Sequence, residues 1–126
     1  MDATTNSLNW FEIPALELDR SKKFYETIFE IEMSVMEMEG TKMAMFPMQP
    51  GSGKANGGIA QGPMHKPSMD GAKVYLNANP NMDNVLSRVV AAGGTIALPK
   101  TSIGPNGFMA FIIDTEGNNV GIHSTE

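Results

Sequence analysis

Apolar residues recur along this chain in two rhythms. From Leu8 to Pro14 they alternate: Phe11 and Ile13 share one face, Trp10 and Glu12 the other, as in a half-buried strand. From Arg20 to Glu30 the spacing becomes helical. Phe24, Ile28 and Ile31 form a stripe, Tyr25 and Phe29 lie beside it, and Asp19 stands where an N-cap belongs. Lys22 and Glu26 add a one-turn pair in the less favoured order. Alternation returns over 31–39 and 41–48, a hairpin about Gly40. Met36 and Met38 alternate with Val35, Glu37 and Glu39; Met43 and Met45 alternate with Ala44 and Phe46. Apolar groups on both faces predict a curved sheet with helices outside and an apolar cleft inside.

The same order then repeats. Residues 49–58 form a loop and 58–62 a short strand. Residues 63–71, with Pro63, Pro67 and an Asp70-Gly71 turn, form a link. Residues 72–78 alternate again, Val74, Leu76 and Ala78 against Tyr75 and Asn77. Asn79 and Pro80 read as N-cap and first position of a second helix, which runs through Ala92 and stops at Gly93-Gly94. Strands are predicted at 95–99, 108–113 and 118–123, with a turn-rich connection over 101–107. The turn Asp114-Thr115-Glu116-Gly117-Asn118 joins the last two strands. Beyond it Val120 and Ile122 face one way, Gly121 and His123 the other. The two helices are offset by about 62 residues and the closing strands by about 61, a repeat of pattern. The prediction is an α+β domain of two βαβββ modules, 8–62 and 72–124, each too small to bury a core alone. Residues 1–7 read as a frayed tail.

Composition narrows the partners. The 126 residues carry a net charge of −5 with nine scattered Lys and Arg, which argues against nucleic acid and anionic membranes. There is no cysteine, so disulfides, thiolate metal sites and cysteine nucleophiles are excluded. No signal-peptide core opens the chain, and no stretch approaches the roughly 18 apolar residues of a span. A cytoplasmic protein is expected. Gly53-Lys54 is not a phosphate loop, because Met48 and Ala55 stand where Gly and Ser or Thr are needed. Eleven methionines suit core filling or an adaptable apolar cleft wall. His65, in the link, reads as a surface histidine.

Specific stretches carry a family resemblance. Asn9-Trp10-Phe11-Glu12-Ile13-Pro14, then Asp19-Arg20-Ser21-Lys22-Lys23-Phe24-Tyr25, resembles the opening strand and helix start of the vicinal oxygen chelate superfamily. This is the group of glyoxalase, bleomycin-resistance and extradiol-dioxygenase-like proteins. Ala91-Ala92-Gly93-Gly94-Thr95 and the closing turn, with Thr115 in place of Pro, are similar to later motifs of that group. The resemblance covers residues 8–124.

It implies a small-molecule cleft and, in many members, a divalent metal held by His, Gln or Glu on inward faces of the first and last strands of each module. Carried over, those positions hold Trp10 and Glu12, Tyr75 and Asn77, then Gly121 where a Glu would bind metal, with His123 one pleat beyond. By the repeat offset Ala60 matches Gly121, and a slip of one residue brings in Gln61. Only Glu12 and either His123 or Gln61 are competent ligands, where the usual site takes three or four. The expected cleft is therefore Trp10, Glu12, Gln61, Tyr75, Asn77 and His123, with Glu12 as catalytic candidate or ligand acceptor, His123 as its partner, and no metal or other cofactor. The predicted function is a glyoxalase-like binder of a small molecule of unknown identity, expected as a homodimer. The alternatives are a metal-dependent lyase, isomerase or dioxygenase, and a metal-free enzyme using Glu12 as base.

Overall fold

A computed structural model describes residues 1–126. The elements follow the order β1 (Trp10–Pro14), α1 (Leu18–Phe29), β2 (Ser34–Met38), β3 (Thr41–Met45), β4 (Asn56–Gln61), β5 (Tyr75–Asn77), α2 (Asp83–Val89), β6 (Thr95–Ser102), β7 (Phe108–Ile113) and β8 (Asn119–Ser124). They form two four-stranded sheets with strand orders β1-β4-β3-β2 and β5-β8-β7-β6. In each, the first strand runs parallel to the last and the remaining pairs are antiparallel. These are the two βαβββ modules that the repeat predicts.

Each module places one face of its sheet against its helix. Ile13, Ala44 and Ile59 supply that face in the first module; Leu76, Ala110, Ile112, Val120 and Ile122 supply it in the second. α1 adds Leu18, Phe24, Tyr25 and Ile28, and α2 adds Val85 and Val89. All belong to one buried cluster, so neither half keeps a separate core. That is the expected outcome for halves too short to bury enough surface alone. No helix is long and apolar enough to cross a membrane.

α1 begins at Leu18 rather than Arg20, and Asp19 is not its cap. The backbone N–H of Leu18 donates to Gln61 Oε1 at 2.7 Å, and those of Leu16 and Glu17 donate to Glu116 Oε1 at 2.9 and 2.8 Å. Distant side chains thus satisfy the first N–H of the helix and the two that precede it. α2 starts at Asp83, three residues after Pro80, with Met82 at its N-cap position. β6 extends to Ser102 through two register shifts, so part of the connection expected over 101–107 is strand.

β1 and β5 are the inner edges of their sheets, and no backbone hydrogen bond joins them. The closing turn bridges the modules instead. Asp114 accepts from Tyr25 Oη at 2.7 Å, Glu116 accepts from Arg20 Nε at 2.7 Å, and Asn118 Nδ2 donates to the Pro14 carbonyl at 2.7 Å. Between β1 and β5 there remains a seam with a hollow at each end.

Candidate functional site

On β1, alternation sends Phe11 and Ile13 to the helix side and Trp10 and Glu12 to the other face. Glu12 lies opposite Gly58 of β4, which carries no side chain to crowd it. The link after β4 turns back at once, with the His65 N–H donating to the Gly62 carbonyl at 3.1 Å. This turn lays His65 against Glu12. Its Nε2 lies 2.9 Å from Glu12 Oε1, and the Trp10 indole N–H donates to Oε2 at 3.3 Å. The His65 hydrogen bond, helped by Trp10, outweighs burial and holds the Glu12 carboxyl below the usual carboxylate range.

A carboxylate only accepts, so His65 Nε2 carries the proton in this contact. Nδ1 is buried beside Gly62 without a hydrogen-bond partner. His65 is therefore no surface histidine: only 17% of its side chain is exposed, against 36% for Glu12. The carboxylate is the accessible group of the pair. It borders a polar hollow of about 200 Å³ at one end of the seam, lined also by Lys66, Ser68, Asp70 and Asn119. Asn119 Oδ1 is buried there with no partner.

The remaining cleft candidates go elsewhere. Gln61 points to the helix side, in register with Lys42 and two residues beyond Ile59, and caps α1 instead of facing Glu12. Ala60 takes the opposite face. His123 does not pair with Glu12; its Nε2 meets the Asn106 carbonyl at 2.8 Å. Tyr75 and Asn77 lie in register with Gly121 and His123 and border a separate, apolar hollow at the far end of the seam. The structure thus joins Trp10 and Glu12, adds His65, and divides the rest. His65 was hard to find because it lies outside both modules, where strand periodicity says nothing of its direction.

The last-strand position that resemblance gives to a metal-binding Glu is closed by another ring. A Cβ added to Gly121 would collide with the Tyr75 ring, and Tyr75 packs on Phe111 at 5.7 Å between centroids. No group of three or more His, Asp or Glu side chains comes together in a way that could hold a metal ion. The donor set of this chain does not fit a resident divalent cation.

The comparisons agree with this architecture. The profile of the Glyoxalase/Bleomycin resistance protein/Dioxygenase superfamily matches residues 7–122. The protein named "Putative glyoxylase CFP32" in Mycobacterium tuberculosis, like its Mycobacterium bovis counterpart, is 30% identical over 117 residues. The match covers 90% of this chain and 44% of the mycobacterial protein, so the chain spans less than half the length of these relatives. Glyoxalase I from Zea mays superposes with a TM-score of 0.71 at 19% identity, over 92% of this chain and 45% of the maize chain. A glyoxalase/bleomycin resistance protein/dioxygenase family enzyme from Burkholderia phytofirmans gives 0.65 at 13% identity, over 96% of this chain and all of that one. With the profile spanning nearly the whole chain and both modules in place, this protein belongs to the glyoxalase/bleomycin resistance protein/dioxygenase superfamily.

Proposed function

We propose that this chain is a small-molecule-binding member of the superfamily that works without a resident metal ion, with Glu12 as a fixed anionic acceptor. The environment of Glu12 carries the reading. Both of its oxygens take N–H donors, one from an imidazole and one from an indole, and its neighbours include no further set of metal donors. A lowered carboxyl makes a weak base near neutral pH, where a general base works best with a matched pKa. It makes a good acceptor, because a charge-assisted hydrogen bond is stronger than a neutral one.

The hollow beside it supports a ligand class. Glu12, Asp70 and the unpartnered Asn119 Oδ1 all accept, and Lys66 is the one cation among the lining residues. A small molecule presenting N–H donors or a positive group matches that lining. The test uses the single tryptophan, whose indole bonds to Glu12 and reports on it. Agmatine and ethanolamine serve as probes. Saturable change in Trp10 fluorescence is expected, weakened about tenfold or more in Glu12→Gln. Equal affinity in the variant would remove Glu12 from the site. The name of the mycobacterial relatives favours a second reading, an enzyme, for which Glu12 is this chain's candidate base. In that case Glu12→Gln would abolish turnover while binding survived.

A further inference from the structure

The far end of the seam holds a hollow of different chemistry. It encloses about 310 Å³, and none of its ten lining residues is charged. Phe11 from β1, Phe29 and Ile31 at the end of α1, Phe46 after β3, and Tyr75 and Leu76 from β5 form its walls. The rings of Phe11 and Phe46 are tilted 39° at 5.8 Å between centroids. Phe11, Phe29, Ile31 and Phe46 pack on the buried core, yet each stays only partly buried. Apolar surface is thus left facing a concavity large enough for a small ligand.

Two features distinguish this hollow from a flat apolar face. The chain frames its mouth: Leu8 and Ala55 line it, and Asn6 Nδ2 donates to the Gly53 carbonyl at 3.0 Å, tying the leading segment to the loop that carries Ala55. The lining also offers one free acceptor and one free donor. Asn56 uses Nδ2 on the Phe46 carbonyl, and Asn77 uses Oδ1 on the Asn79 N–H, leaving Asn56 Oδ1 and Asn77 Nδ2 without partners in the chain.

We infer that this hollow is a second binding site, separate from Glu12, that takes a neutral, flat aromatic molecule with one hydroxyl group. The absence of lining charge disfavours ions, since a charged group here would lose hydration without gaining a partner. Aromatic walls suit a ring by offset and edge contacts. The two asparagine groups suit a single polar substituent that both donates and accepts.

The probe is 2-naphthol, followed by NMR of protein labelled at Ile, Leu and Met methyl groups. Saturable binding is expected, with the largest shifts and intermolecular NOEs at Ile31 and Leu76. Leu8→Asp places a charge at the mouth on a residue already 47% exposed, so folding is preserved. It should weaken binding about tenfold. Glu12→Gln should leave naphthol affinity unchanged, which keeps this inference separable from the Glu12 reading. Shifts centred on Met45, no saturation, or an unchanged affinity in Leu8→Asp would each overturn it. So would loss of binding as protein concentration rises, because a second copy would then cover the mouth.

Discussion

At Gly121 the backbone of β8 passes beneath the Tyr75 ring with no room for a methyl group. The residue that weakens a metal reading is thus also a packing requirement. Gly121→Ala is expected to destabilise the fold by about 1–3 kcal/mol, the usual cost of overpacking. In a Tyr75→Ala background that cost should largely vanish. Chemical denaturation of the four proteins in a double-mutant cycle measures the coupling. Independent effects would show that Tyr75 does not rest on Gly121. Sequence alternation was reliable at this scale, since it placed Trp10, Glu12, Tyr75, Asn77 and Gly121 on their observed faces. Alternation does not give contact, however. His123 shares its face with Tyr75 yet reaches Asn106, and Gln61 fell on the opposite face from Glu12 because the register of β4 decided between it and Ala60.

Among the elements, α1 is held at both ends by the second module. The Glu116 carboxylate sits at its N-terminal entry, where negative charge suits the helix dipole. At the other end Arg88 of α2 donates to the Ile28 carbonyl at 3.0 Å and pairs with Glu30 at 3.1 Å. Burial would push the Glu116 carboxyl up, but Arg20, the Glu17 N–H and Thr115 overcome it and hold it below the ordinary carboxylate range. A lowered folded pKa gives stability that is fully present above the unfolded value, near 4.5, and is lost as pH falls through the folded value. Glu116→Gln should therefore cost about 2 kcal/mol at neutral pH, because it leaves the Arg20 contact without its charge partner. The gap between wild type and variant should narrow at acid pH. Urea unfolding at about pH 7 and about pH 3 checks both parts. A gap independent of pH would mean the carboxylate charge is not what clasps the modules. The turn itself was legible from Gly117 and Asn118. The role of Glu116 was not, because its partners are about a hundred residues away in sequence.

For the molecule as a whole, the repeat of strand, helix and three strands was visible because each element has its own hydrophobic period. The pairing of the modules was not. It depends on buried polar contacts and on the unsealed seam between β1 and β5, neither of which leaves a periodic trace. The seam has a polar hollow at the Glu12 end and an apolar one at the Tyr75 end, so the cleft expected from sequence is divided by chemistry. The central claim concerns the first of these: Glu12 serves as an acceptor and not as part of a metal centre. The direct test is thermal unfolding of metal-stripped protein titrated with Mn²⁺, Fe²⁺, Ni²⁺ and Zn²⁺, beside Glu12→Ala. A cation that binds the native state selectively raises the midpoint. The account predicts no saturable rise with any of the four. A saturable rise with one metal, lost in Glu12→Ala, would contradict it and return the site to chelate chemistry.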